Sequence, residues 1–363
     1  MSGPPVVIRP PDWDREERLP ALGLIPGGSF DPEVVSRLKQ TEAVPVHLVF
    51  PLRNARGAAN LHALLLILRP LFGSLIDQVW VAYGGERPAA LRRLADSFPQ
   101  VKVFPAALRL PPDQQDAPQG KGAAMRAFLY HLVVTENVTH PRAVVLFIDA
   151  DIRPPYFHPR WVVDPVGAIL WFHTLEAAKI VYQRPHGGRL NTMLRSLLAL
   201  IPHDGVQALQ KLAYLLSGEI AGTLKFWSRL PFKTGFGVET LTLMSFALDH
   251  LGLTPGTPDL EHLAQVYVGR MDHLHAPLTS TPRKRGLDQM AGTVFHTLME
   301  SLMAANLLHW QTPTMAPPQL TIPVPNGESG EPLTWMEVPL ADVTLPPLAA
   351  LPAVRARLTP GGD

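Results

Sequence analysis

The stretch Ala143-Val144-Val145-Leu146-Phe147-Ile148-Asp149-Ala150-Asp151 decides the fold. It opens on a short apolar run, rich in β-branched and aromatic side chains, that breaks off in charge. A run of this length predicts a buried strand rather than a helix. Asp149 and Asp151 then stand at the carboxyl end of that strand, where open α/β sheets bind their ligands. Two carboxylates there can hold a hard divalent cation such as Mg²⁺ or Mn²⁺, which commonly bridges to a diphosphate. The same three residues could also be a surface turn that happens to contain two Asp.

Upstream, strand and helix patterns alternate. Val46–Pro51 predicts a first strand, stopped by its proline. Residues 60–69 predict a helix, 78–83 a second strand, 87–98 a helix and 101–104 a third strand. Gly120-Lys121-Gly122 opens a helix running to about Val134, just before the strand that ends in Asp149. This is the alternation of a parallel, doubly wound sheet. Downstream the pattern is more helical. Strands are expected at 179–183 and 263–268, and helices at 189–201, 206–216 and 286–308. Residues 1–43 read as an N-terminal extension with little periodicity, and the chain after Gln311 as a proline-rich tail that wraps the body or lacks order. The expected division is 1–43, a nucleotide-sugar half over 44–155, an acceptor half over 156–310, and the tail over 311–363.

Composition narrows the function. The chain has 363 residues, 46% hydrophobic and 17% charged, with a formal net charge of +1. That balance fits a large globular core and argues against a nucleic-acid binder. Cysteine is absent, which rules out disulfides, thiolate nucleophiles and Cys-based zinc sites. No signal-peptide pattern opens the chain, and no apolar run is long enough to span a bilayer, so a cytoplasmic protein without a transmembrane segment is expected.

Further residues carry chemistry. Gly120-Lys121-Gly122 at a helix start suits an anion, although the P-loop spacing is missing. Glu219, after Gly218 and among apolar residues, is either a helix cap or a substrate contact. Glu239, in Thr234-Gly235-Phe236-Gly237-Val238-Glu239, either accepts sugar hydroxyls or stabilises a helix N-terminus. His273 and His275 alternate after a strand and would point the same way, toward a metal or into ordinary structure. Arg189, after His186-Gly187-Gly188, can grip a carboxylate or phosphate or lie solvated.

Taken in order, Phe50-Pro51, G-K-G, D-x-D, G-E, G-x-(E/D) and a late His resemble the retaining GT-A glycosyltransferases that make glycosylglycerates. The nearest patterns are glucosyl-3-phosphoglycerate synthase and mannosylglycerate synthase, over about Val46 to His275. Phe50-Pro51-Leu52-Arg53 and Asp-Ala-Asp resemble the second. Gly188-Arg189 and Gly235-Phe236-Gly237-Val238-Glu239 resemble the first.

The resemblance implies a Rossmann-like GT-A sheet with a more helical acceptor side. It also implies Mg²⁺ or Mn²⁺, an NDP-sugar donor (UDP-glucose or GDP-mannose), and a homodimer. Pro51, Leu52 and Arg53 would flank the nucleoside. Gly120, Lys121, Asp149 and Ala150 would line the nucleotide, with Asp149 on the ribose side. Asp151 and His273 would ligate the metal, and Glu239 would hold the transferred sugar. Gly188, Arg189, Asn191, Glu219 and His275 would lie on the substrate side. Asp151, Glu239 and Lys121 would carry the catalysis. This chain departs from the pattern in three places. Ala55-Arg56 follow Asn54 where the family has acids, Asn191 stands where a Thr is expected, and His275 where an Asn is expected. An inverting family-2-like glycosyltransferase of glycan or glycolipid synthesis is the alternative enzyme, but its E-D pair and Q-x-x-R-W box are missing. A degenerate nucleotide-sugar binder is the alternative without turnover.

Overall fold

The computed structural model describes residues 19–52, 57–84, 89–184, 188–253, 258–273, 286–309, 319–325, 333–339 and 342–358. In chain order its strands are β1 (Leu24–Pro26), β2 (Val46–Leu52), β3 (Gln78–Tyr83), β4 (Val101–Pro105), β5 (Val144–Phe147), β6 (Ala177–Gln183), β7 (Ile220–Thr223), β8 (Phe232–Lys233), β9 (Leu263–Arg270), β10 (Gln319–Pro325), β11 (Leu333–Pro339) and β12 (Thr344–Leu345). The α-helices are α1 (Pro32–Thr41), α2 (Gly57–Leu68), α3 (Ala89–Ser97), α4 (Lys121–Val134), α5 (Arg160–Trp171), α6 (Arg189–Ala199), α7 (Asp204–Ala208), α8 (Leu224–Arg229), α9 (Gly237–Ala247), α10 (Leu287–Ala304) and α11 (Pro352–Leu358).

An eight-stranded sheet in the order β1-β9-β6-β7-β5-β2-β3-β4 forms the body. Its strands pair in parallel except β7, which runs against both β5 and β6. The mixed α/β architecture agrees with the expected one. The strand side chains explain why both faces are covered. On β2, Val46, Leu48 and Phe50 enter one core while Val49 enters the other. On β5, Val144 and Leu146 face one way and Val145 and Phe147 the other, the period-2 alternation of a strand buried on both faces. One face is packed by α1, α2, α3 and α5, the other by α4, α6, α9, α10 and α11.

Several segments differ from the sequence expectation. Within 1–43, β1 joins the sheet beside β9, and α1 is capped by Asp31, whose Oδ1 accepts from Glu33 N at 2.8 Å. Buried Asp164 of α5 fastens the turn between them, accepting from Gly28 N at 2.6 Å and Phe30 N at 3.3 Å. The helix expected over 206–216 is shorter, with α7 followed by a single 3-10 turn at Leu209–Lys211. Long-range side chains take the backbone groups that a longer helix would have used. Gln265 Oε1 accepts from Ala213 N at 2.6 Å, Asn191 Oδ1 accepts from Leu215 N at 2.6 Å, and Arg195 donates to Leu212 O at 2.6 Å. In the tail, β10 and β11 form an antiparallel hairpin. Residues 342–358 return to the body, where β12 pairs with β8 and Val354 of α11 is buried.

Candidate active site

Topology assembles the site. The chain steps outward from β2 to β3 and β4, then returns to place β5 on the other side of β2. The crevice at this switch point is where a doubly wound sheet takes its ligand. Pro51 and Leu52 end β2, and Asp149, Ala150 and Asp151 follow β5. The reversed β7 brings its amino end to this same edge, so Gly218 and Glu219 arrive beside Asp149. The carboxyl ends of β6 and β9 deliver Arg184 and His273.

Lys121 is the hub. It is the first residue of α4, and its Nζ lies 2.6 Å from Asp149 Oδ1 and 3.0 Å from Glu239 Oε1. Glu239 sits in the first turn of α9, so its carboxylate both faces that helix N-terminus and pairs with Lys121. Burial alone would lower the Lys121 ammonium, but Asp149, Glu239 and Glu219 outweigh it and hold the amine above its ordinary value. A Cβ on Gly218 would run into Lys121 Nζ and lie 2.8 Å from both Asp149 Oδ2 and Glu239 Oε1. Any larger residue there would push these three side-chain tips apart. Gly120 and Gly122 are glycines for a different reason: a Cβ on Gly120 would sit 2.5 Å from Thr234 O, and one on Gly122 would overlap Lys233 O. Their close approach packs the start of α4 against β8.

Glu219 does not cap a helix; it precedes β7 and is only 2% exposed. The Tyr182 hydroxyl donates to its Oε2 at 3.1 Å. Burial, with the charges of Asp149 and Glu239, pushes its carboxyl up to about 8. Burial and the neighbouring Asp149 likewise push Asp151 up to about 7, and Asp151 Oδ1 is buried without a hydrogen-bond partner.

The Asp151 turn and His273 are joined through the backbone. Ile152 and His273 form an antiparallel bridge, and Arg153 N donates to Asp272 O at 3.0 Å. The unpartnered oxygen of Asp151 suits a hard divalent cation, whereas the ring of His273, the other expected ligand, lies against the Arg184 guanidinium. Among the described residues no three His, Asp or Glu side chains gather closely enough to hold a metal by themselves.

The acceptor-side expectations meet the structure unevenly. Gly188 has φ +84° and N-caps α6, with Arg189 exposed in the first turn. Asn191 has a structural partner already, the Leu215 N–H. Arg53 and His275 lie outside the described residues.

Four side chains near the site have no counterpart in the sequence reading. The Asn60 amide on α2 donates to Ala150 O at 2.6 Å and to Ile152 O at 2.8 Å, clamping the turn on both sides of Asp151. Lys179 is buried on β6 and donates to Ser217 O at 2.7 Å, which braces the turn before Glu219. Burial pushes its amine down to about 8, against the opposing pull of Glu239 and Glu219. Arg184 donates to the Tyr214 hydroxyl at 2.6 Å and approaches His273 Nδ1 at 2.6 Å. Tyr182 and Arg184 share one face of an extended segment by their spacing, which is a signal available in sequence. Asn60 and Lys179 carry none, because their partners are distant in the chain.

No family model matches the chain. It is similar to glucosyl-3-phosphoglycerate synthase of Mycolicibacterium smegmatis, with 28% identity over 265 residues, 70% of this chain and 76% of that protein. The Petrotoga mobilis enzyme of the same name is 27% identical over 224 residues, 58% of this chain and 63% of that one. Among solved structures, mannosyl-3-phosphoglycerate synthase from Rubrobacter xylanophilus superposes with a TM-score of 0.71 and 25% identity, covering 90% of this chain and 97% of that one. Glucosyl-3-phosphoglycerate synthase from Mycobacterium tuberculosis, in complex with Mn²⁺, UDP and phosphoglyceric acid, gives 0.68 and 25%, covering 91% and 99%. The sheet, the D-x-D turn at its switch point and these likenesses agree: the chain is a glycosyltransferase of the GT-A fold, similar to the glucosyl- and mannosyl-3-phosphoglycerate synthases.

Proposed function

We propose that the chain transfers a hexose, glucose or mannose, from UDP-glucose or GDP-mannose to 3-phosphoglycerate, glycerate or a similar small hydroxy acid, with retention at the anomeric carbon. The observation that carries this is the single ammonium of Lys121 held between Asp149 and Glu239, beside the unpartnered oxygen of Asp151. The names of the relatives, and the UDP, Mn²⁺ and phosphoglyceric acid bound to the M. tuberculosis enzyme, support the choice of substrates.

In this proposal the donor side lies over 44–155 and the acceptor side over 156–310. Pro51, Leu52 and the Asp149–Ala150 turn take the nucleoside, and Glu239 orients the hexose through its hydroxyls. Lys121 stays protonated at every working pH and places positive charge where the diphosphate leaves. Asp151 and His273 would hold Mg²⁺ or Mn²⁺, which when bound would supply further positive charge for that leaving group. Burial pushes the Glu219 carboxyl upward, which favours its protonated form, able to donate as well as accept a hydrogen bond. Gly188, Arg189 and the neighbouring Arg184 meet the anionic end of the acceptor. Assembly as a homodimer, which the resemblance implies, and residence in the cytoplasm belong to the same proposal. Among the described residues no helix is long and apolar enough to cross a membrane.

A thermal-shift panel tests the donor. UDP-glucose or GDP-mannose with Mn²⁺ should raise the melting temperature, because a ligand of the native state stabilises it by mass action. Release of nucleoside diphosphate should then require 3-phosphoglycerate or glycerate. If no nucleotide sugar shifts melting in the presence of Mn²⁺, the proposal is wrong.

A further inference from the structure

The Lys121–Glu239 pair is held from both sides by one short segment, and that segment is fastened by a residue far along the chain. Thr234 O accepts from Ala123 N of α4 at 2.9 Å, while Gly235 and Phe236 lead directly into α9. The fastener is Asp342. Its Oδ1 accepts from the Thr234 hydroxyl at 3.0 Å and from Gly235 N at 2.5 Å, and its Oδ2 accepts from Gly237 N at 2.9 Å. Its own carbonyl accepts from Lys233 Nζ at 3.3 Å. Thr234 N donates to Val343 O, and Val343 N donates to the Thr234 hydroxyl, both at 3.1 Å. Beyond this, β12 pairs with β8 and the Arg126 guanidinium donates to Pro346 O at 3.0 Å.

These contacts explain the Gly235-Phe236-Gly237 spacing. A Cβ on Gly237 would run into Thr297 Oγ1 of α10 and lie 2.6 Å from Asp342 Oδ2, and one on Gly235 would sit 3.2 Å from the same carboxylate. The glycines make room for side chains of the chain itself, Asp342 at both positions and Thr297 at the second. That carboxylate accepts from Gly237 N, the first amide of α9, and from Gly235 N just before the helix, a charge-assisted arrangement that fixes where the helix begins. Glu239 follows two residues later.

We infer that Asp342 is a positioning residue for the donor sugar: the C-terminal segment sets Glu239, and through Thr234 the start of α4, at the distance that the Lys121–Glu239 pair requires. The inference rests on the proposed role of Glu239 in holding the hexose. It places a residue that positions the donor site in the part of the chain that by composition reads as a proline-rich tail.

The test uses the full-length protein with Asp342→Ala and Asp342→Asn. Binding of UDP and of UDP-glucose is measured with Mn²⁺ present, together with the donor and acceptor KM and the melting temperature. Asp342→Ala should raise the UDP-glucose KM about tenfold, as expected for one lost charge-assisted contact, while UDP affinity and acceptor KM stay within about twofold. Asp342→Asn, which keeps one acceptor oxygen, should recover part of the loss. A purely structural role would lower the melting temperature and the active fraction while leaving donor KM unchanged, and that outcome overturns the inference. A wild-type protein that turns over neither UDP-glucose nor GDP-mannose overturns the function proposed above. A turning-over wild type whose Asp342→Ala variant keeps its donor KM overturns only the role of Asp342. If Asp342→Ala fails to fold, Asp342→Asn and Thr234→Val decide, because each removes part of the same contact. An unchanged donor KM in both overturns the inference.

Discussion

At the scale of single residues, the site is a balance of charge. Four carboxylates, Asp149, Asp151, Glu219 and Glu239, surround Lys121, and burial together with the charge of Asp149 pushes the Glu219 and Asp151 carboxyls upward. Removing the cation should therefore cost more than its own contacts. Lys121→Met should lower stability by about 3–5 kcal/mol, the usual penalty for leaving buried charge unpaired. Adding Glu239→Gln should return more than about 1 kcal/mol, because residues in one network couple. A denaturant double-mutant cycle measures both, and an additive result would mean that the two side chains do not interact. Gly218→Ala should reduce kcat/KM by at least about a hundredfold, since its Cβ would displace Lys121 from its two partners. Steady-state kinetics with a circular dichroism control would check it; near-wild-type kinetics would remove Gly218 from the site.

At the scale of elements, clamps from neighbouring helices and strands hold the loops that carry the chemistry. Asn60 reaches from α2 to both sides of Asp151. Asn60→Leu should raise the Mn²⁺ concentration needed for half-maximal binding about tenfold, the lower end of what is lost with a residue that supports a metal ligand. Mn²⁺ titration followed by electron paramagnetic resonance reads this directly, and an unchanged midpoint would leave Asn60 a purely structural residue. β2 carries a second testable feature, His47. It is 7% exposed, neither ring nitrogen has a hydrogen-bond partner, and burial pushes its pKa down to about 4. Asp77 and Glu136 pull the other way, Lys102 and Lys39 with the burial. The unfolded chain binds this proton near 6.5 and the folded chain only near 4, so the native state loses stability as pH falls through that window. The loss approaches about 3 kcal/mol by pH 4. His47→Leu should flatten that part of the acid limb in urea melts taken from pH 7 to 4, and identical limbs would contradict the assignment.

How far these elements were legible in sequence follows from their contacts. The strands β2, β3 and β5 were readable because each is a brief apolar run, buried on both faces, that ends in a turn residue or in charge. α5 was not, since its residues from Trp161 to Leu170 are all buried and Pro165 sits inside it, which erases the one-sided pattern of a helix. β7 was missed because Ile220–Thr223 is only four residues long with Gly222 in the middle. Its reversed direction is what brings Glu219 to the site, and nothing local encodes it. Asp149 and Glu239 could be picked out as candidates because each breaks an apolar context, and Lys121 because two glycines flank it at a helix start. Asn60, Lys179 and Asp342 could not, because each is defined by partners far away in the chain.

At the scale of the whole molecule, one edge of the sheet gathers segments from most of the chain. Pro51 and Leu52 come from β2, Lys121 from α4 and Asp149 and Asp151 from the turn after β5, while β6, β7, α9 and β9 bring Arg184, Glu219, Glu239 and His273. Residues 342–358 close the arrangement by tying β8 and α4 together. The protein should lose transfer activity when dialysed against EDTA and regain it with Mn²⁺ or Mg²⁺, without a change in secondary structure, since the metal would sit at the rim of a core that is already packed. Full activity after chelation would contradict the metal assignment. The most direct measurement of the central claim is proton NMR of UDP-glucose and 3-phosphoglycerate with Mg²⁺, comparing the wild-type protein with Asp151→Ala. The expected result is UDP release together with a glucoside whose anomeric configuration matches the donor, from the wild type alone. No transfer by the wild type from either UDP-glucose or GDP-mannose to 3-phosphoglycerate or glycerate, an inverted product, or undiminished transfer by Asp151→Ala would contradict it.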